Sequence, residues 1–208
     1  MAAEVAKRAE ERRAAGGAGS RGRPRDPAIE AAILDATIRL LASAGVEGTS
    51  VEKVASDAGT SKVTVYTRFR SKSELIGAAL ARLQIGDLPA PTGDPENDLV
   101  ALLAAMRRQY AEVGGMSIIG TCLTAEAQSG EFLDIVRAST LHPRRAAFAG
   151  IVRHAIETGE FRPGTDVERT VSLIIGAFYA DYLAGVEMGE DWDRSVVKAV
   201  LDGARSSS

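Results

Sequence analysis

The stretch Thr49-Ser-Val-Glu-Lys-Val-Ala-Ser-Asp-Ala-Gly-Thr-Ser-Lys-Val-Thr-Val-Tyr-Thr-Arg-Phe69 reads as two short helices joined by a tight turn. Val51, Val54, Ala55 and Ala58 fall on one helical face. Gly59 supplies the permissive backbone that a sharp turn needs. Ser61 is placed to cap the second helix by accepting from an orphan N–H. That helix is expected to bury Val63 together with Val65 or Phe69. Lys62, Thr64, Tyr66 and Arg68 are then left to reach outward, with Thr60 at the turn. A short helix carrying small polar, basic and phenolic groups suits the major groove of B-DNA, so the pattern is that of a helix-turn-helix.

The flanks agree. Arg70-Ser-Lys-Ser-Glu-Leu75 holds a capping box, Ser71 as N-cap with Glu74 three residues on. Thr49 and Glu52 repeat that spacing at the start of the earlier helix. Lys72 sits in the first turn, where the helix dipole disfavours a cation unless an anion such as a DNA phosphate is near. Upstream, Asp26-Pro27 reads as a helix start. Ile29, Ile33, Ala36, Leu40 and Ala44 form a stripe that should pack behind the motif, and Gly45 should end that helix. Residues 1–20 read as disordered. Arg21, Arg23 and Arg25 lie on a Gly/Pro-rich arm of the kind that enters a minor groove.

From Ala28 to Leu83 the chain resembles the DNA-binding domain of TetR-family transcriptional regulators. Gly59, Ser61, Tyr66, Phe69, Lys72 and Leu75, in that order, carry the likeness. Val63 departs from the pattern, because the family often has a small residue there. The segment from Leu141-His-Pro-Arg-Arg145 to Asp181 is similar to one type of C-terminal domain in that family. The resemblance implies an all-α regulator whose last two helices make a homodimer. It also implies double-stranded DNA as partner, a palindromic operator, and repression relieved by an unidentified small-molecule effector.

Composition is compatible. Residues 1–85 hold 14 Lys and Arg against 10 Asp and Glu, a charge of +4, whereas residues 86–208 hold 11 against 18, a charge of −7. That asymmetry fits a nucleic-acid module on an acidic body. Cys122 is the only cysteine, which rules out an intrachain disulfide and a multi-thiolate metal site and fits a reducing cytoplasm. The longest apolar run, Val171 to Ala180, is too short to span a bilayer. No nucleophile elbow, Walker loop or His-Glu-x-x-His pattern is present, so an enzyme is not expected, nor any cofactor or metal. The remaining alternative is an architectural helical DNA-binding protein without an effector.

The expected organisation is a basic arm over 1–25, a helix-turn-helix domain over 26–84, and a helical effector-binding and dimerisation domain over 85–208. Asp87 to Pro95, with three prolines and a glycine, reads as a linker. Helices are expected at 96–113, 117–129, 131–158 (broken or kinked at Pro143), 166–188 and 191–204. The 166–188 helix is apolar nearly all round, so more than one side must be covered. Val171, Ile174, Ile175 and Phe178, with Trp192, Val196, Val197 and Val200 from the last helix, form the expected dimer seam. Met106, Tyr110, Met116, Ile119, Cys122, Leu123, Phe148, Phe178, Tyr179 and Tyr182 are the candidate lining of an effector pocket.

Overall fold

The computed structural model describes residues 26–83, 88–126 and 130–202. The expected basic arm and the expected helix ends at 127–129 and 203–204 lie outside these.

Helix α1 spans Pro27–Gly48, started by the Asp26 carboxylate accepting from the Ala28 N–H at 2.9 Å. The expected stop at Gly45 is a sharp break: Gly45 adopts φ 69° and ψ −176°, and one further turn follows. The break is pinned from a distant helix, because the Val46 N–H donates to Thr121 Oγ1 at 2.8 Å. Helix α2 covers Val51–Asp57, α3 Lys62–Tyr66 and α4 Lys72–Arg82. Ser61 and Ser71 cap α3 and α4 as the sequence implies. For α2 the cap is Ser50, which accepts from the Lys53 N–H; Thr49 is buried and its hydroxyl donates to the Gly45 carbonyl at 2.7 Å.

Beyond the linker, α5 is Pro95–Val113 and α6 is Gly115–Glu126. The helix expected over 131–158 divides into α7, Glu131–Val136, a wide π turn over Arg137–Leu141, and α8, His142–Glu157. Pro143 stands at the start of α8, and its missing N–H and its ring are accommodated by the loosened turn before it. Helix α9, Val167–Ala184, ends four residues before Met188 because Gly185 closes it at φ 68°. Helix α10 is Trp192–Leu201. No helix is long and apolar enough to cross a membrane among the described residues.

Among the described residues, three apolar clusters hold the fold together. Ile33, Ala36, Val51, Val54, Val65, Phe69, Leu75 and Ala79 form the core of the N-terminal head. Leu99, Leu103, Phe148, Val152, Ile174, Phe178, Val197 and Leu201 join α5, α8, α9 and α10 into the body. Between them, Leu41, Val46, Ile76 and Leu80 from the head meet Ile118, Cys122, Phe132 and Val136 from the body. Helix α4 therefore serves two cores: Leu75 and Ala79 point into the head, and Ile76 and Leu80, one position on, point into the joint.

Candidate nucleic-acid interface and effector cavities

The outer surface of α3 is built by local rules. Ser61 accepts from the Thr64 N–H at 3.1 Å and shares a hydrogen bond with the Thr64 hydroxyl at 2.9 Å. Val65 and Phe69 turn into the head core and fix the helix's rotation. Lys62 and Tyr66 then face solvent, with Thr64 half-buried between them. Val63 does not go inside as expected. It is 71 % exposed, because the three-helix core is filled by Val65 and Phe69 and leaves no room on that side. Lys62 pairs with Glu52 across the turn; that contact holds the Glu52 carboxyl below its ordinary value and the Lys62 ammonium above its own. Arg68 also departs from expectation. It folds back so that Nη1 donates to the Thr64 carbonyl at 3.2 Å, and its Nε is buried without a partner. Thr49, buried and bonded within the chain, presents no side chain to DNA. Thr60 is half-buried at the turn, its N–H given to the Ala55 carbonyl. Lys72 opens α4 beside the Ser71 cap, and the Glu74 carboxylate takes the Arg70 N–H at 2.6 Å.

In the body, the proposed pocket residues separate into groups. Tyr110 and Ile119 line a narrow space of about 30 Å³ with Leu83, Gln109, Thr140 and Arg144. Met106 and Phe148 line a cleft of about 270 Å³ that also touches Gln109 and Arg144. Tyr110, Met116, Phe178 and Tyr182 line a third, of about 260 Å³. The other three expected lining residues do not belong to these spaces. Leu123 is half exposed on the outer side of α6, and Cys122 is sealed into the joint core. Burial pushes the Cys122 thiol up to about 11, so it carries little thiolate at neutral pH. Tyr179 contacts the Tyr110 ring edge-on, and the two hydroxyls share a hydrogen bond at 2.6 Å. Burial and this neighbour hold the Tyr179 phenol above its ordinary value, while Arg144 draws it the other way.

Arg144, Gln109 and Thr140 were not singled out from the sequence. A charged residue in an Ala-rich helix reads as a solvated face, and nothing local marks it as buried. Yet Thr140 Oγ1 donates to the Leu83 carbonyl at 3.0 Å, and Ser139 Oγ lies 3.4 Å from the Leu80 carbonyl, so the π turn meets the end of α4.

The expected dimer seam needs correction. Val171, Ile174, Phe178 and Val197 are fully covered within one chain, and Ile175 and Trp192 nearly so. Such side chains have no surface left for a partner. Val196 and Val200 are half-buried. The apolar groups of α9 and its following loop that do face outward are Leu173, Tyr182, Leu183 and Val186, with Leu183 78 % exposed. A helix apolar nearly all round does not reveal which face its own chain takes.

These features coincide with those of known proteins. Residues 33–79 match the family described as "Bacterial regulatory proteins, tetR family", and residues 89–201 match "Tetracyclin repressor-like, C-terminal domain". The chain belongs to the TetR family of helix-turn-helix transcriptional regulators. It is 30 % identical over 190 residues to the HTH-type transcriptional regulator YdeS of Bacillus subtilis, covering 90 % of this chain and 96 % of that one. It is 30 % identical over 141 residues to the DNA-binding transcriptional repressor TetR of Mycobacteroides abscessus, covering 67 % of this chain and 73 % of that one. Among solved structures, the TetR family regulator SCO0332 superimposes with a TM-score of 0.60 at 30 % identity, covering 84 % and 97 % of the two chains. The flavonoid-responsive regulator FrrA superimposes with a TM-score of 0.67 at 15 % identity, covering 88 % and 100 %. The chain is thus a DNA-binding transcriptional regulator. Regulators of this family dimerise and bind small molecules in the C-terminal domain, and the class is generally not enzymatic.

Proposed function

We propose that this regulator is a repressor that sits on a palindromic operator as a two-fold dimer and leaves it when a small molecule enters the body. The observation that carries the reading is the outer face of α3. Lys62, Val63 and Tyr66 are exposed together on a helix held rigid by the Ser61 cap and by Val65 and Phe69 beneath. Ser61, Lys62, Thr64 and Tyr66, with Thr60 beside them, are proposed to meet the major groove, and Lys72 a phosphate. Val63, outward rather than inward, suits the methyl group of a thymine. The arm arginines Arg21, Arg23 and Arg25 are proposed to follow the adjacent minor groove. The dimer is proposed to form through the outward side of α9 and α10, around Leu173, Leu183, Val196 and Val200, since burying exposed apolar groups drives such seams.

Release requires the effector to favour one arrangement of the head over the other. A hundredfold change in operator affinity corresponds to about 2.7 kcal/mol of coupling. The contact of Thr140 with the end of α4 supports the π turn as the route. Fluorescence anisotropy with a labelled palindromic duplex and with its isolated half tests the proposal. Tight, salt-dependent binding to the palindrome at one dimer per site is expected. Equal affinity of single chains for the half-site would refute the dimer, and absence of duplex binding at low salt would refute the interface.

A further inference from the structure

The body contains a cation without a counter-charge. Arg144 is 3 % exposed. Its Nη2 donates to Gln109 Oε1 at 2.5 Å, and its guanidinium carbon stands 4.9 Å from the centre of the Tyr110 ring. Its Nη1 is buried with no hydrogen-bond partner. No carboxylate forms an ion pair with it among the described residues. An arginine cannot shed its proton, and its buried neighbours Gln109, Tyr110 and Tyr179 are all neutral, so an anion beside the guanidinium would stabilise the arrangement.

The space for that anion is present. Arg144 lines the cleft of about 270 Å³ whose walls include Leu102, Met106, Ala147 and Phe148. That is near the lower end of the size of small-molecule sites, about 300 Å³. Arg108 and Glu112 also line the cleft with opposite charges, which leaves Arg144 as its net cation, matched by one negative charge on a ligand. We infer that the effector is a small monocarboxylic acid with an apolar or aromatic body. Its carboxylate meets the Arg144 guanidinium at the wall of the cleft, and its body lies against Met106 and Phe148. Arg144 is four residues after Thr140, on the same helical side, so occupancy is felt at the hydroxyl that holds the end of α4. This rests on the reading that the body carries the effector site.

The test uses the full-length protein with 3-phenylpropionate and its uncharged amide, then with benzoate, propionate and octanoate. The acid is expected to raise the unfolding temperature at millimolar concentration and the amide to do so weakly. Arg144→Met is expected to lower affinity for the acid by about tenfold to a hundredfold, and Arg144→Lys by less. Arg144→Met is also expected to unfold no more easily than the parent without ligand, since it removes an uncompensated charge. Equal binding of acid and amide, unchanged binding of the acid to Arg144→Met, or no stabilisation by any of these acids would overturn the proposal. A parallel measurement of duplex binding separates the two readings. Retained DNA binding without an acid response sinks only the acid site, whereas no DNA binding sinks the regulator interface.

Discussion

The head and the body are held together by different means. In the head, each helix starts from a side chain two or three residues away: Asp26, Ser50, Ser61 and Ser71 all accept a backbone N–H of their own first turn. In the body, Asp94 and Asp166 cap α5 and α9 in the same way, but α7 and α8 begin without a side-chain cap. Its polar anchors join residues far apart in the chain. Arg107 holds the Asp193 carboxylate at 2.7 Å and the Met188 carbonyl at 2.8 Å, and the Trp192 indole N–H donates to Asp181 at 2.8 Å. A capped short helix keeps its shape while its outer face stays bare for a ligand. A body built on long-range contacts can shift between arrangements only as a unit, which suits a sensor.

The largest effect is expected where the two regions meet. Gly45→Val is expected to destabilise the protein by about 2–4 kcal/mol, because a side chain there meets φ 69° and Thr121 Oγ1 at 2.8 Å. Denaturant unfolding measures it, and a loss below 0.5 kcal/mol would mean that the kink is not a rigid joint. Asp193→Ala is expected to cost about 2 kcal/mol, since Arg107 is only partly solvated and would lose its buried counter-ion. Hydrogen exchange should place that loss in α5 and α10 and spare the head. Loosening of α3 to the same degree would erase the contrast. Ser61→Ala is expected to cost about 1 kcal/mol and to fray α3 alone, read by exchange of the Thr64 and Val65 amides.

Lys72→Ala is expected to leave unfolding unchanged. It should weaken binding to all duplexes alike and lower the salt slope by about one. An unchanged slope would remove Lys72 from the phosphate contacts. The last test concerns acid. Burial pushes the Asp98 carboxyl up, but the Thr92 hydroxyl and the Thr92 and Gly93 N–H groups outweigh it and hold it below its ordinary value. A carboxyl lowered in the folded state adds stability above its unfolded value, about 3.9, and that share is lost as pH falls through the folded value. Asp98→Asn is expected to flatten the acid limb of the stability curve, and an unchanged limb would show that this linker cap contributes nothing.

The head was legible because its code is local. Ser61, Ser71 and Gly59 act within a few residues of themselves, and their roles follow from spacing. Its errors were also local: Ser50 rather than Thr49 caps α2, and Val63 points out because Val65 and Phe69 fill the interior. In the body, the helix positions were visible from periodicity and from Pro143. The orientation of those helices was not. Val171 and Leu173 look alike in sequence, yet one is sealed and the other half bare. Arg144 was invisible for the same reason, since its burial is decided by α5 packing over it from 35 residues away.

Helix α4 has a practical consequence. Its Ile76 and Leu80, like Leu41 and Val46 of α1, are greasy on the side away from the DNA-reading unit and are sheltered by α6, α7 and the π turn. Cutting the gene at the Pro-rich linker would leave that stripe naked, and the excised fragment should clump rather than read DNA. Chimaeras that transplant this head onto a foreign sensor must therefore bring a matching cushion for those four residues, not merely a splice at the linker.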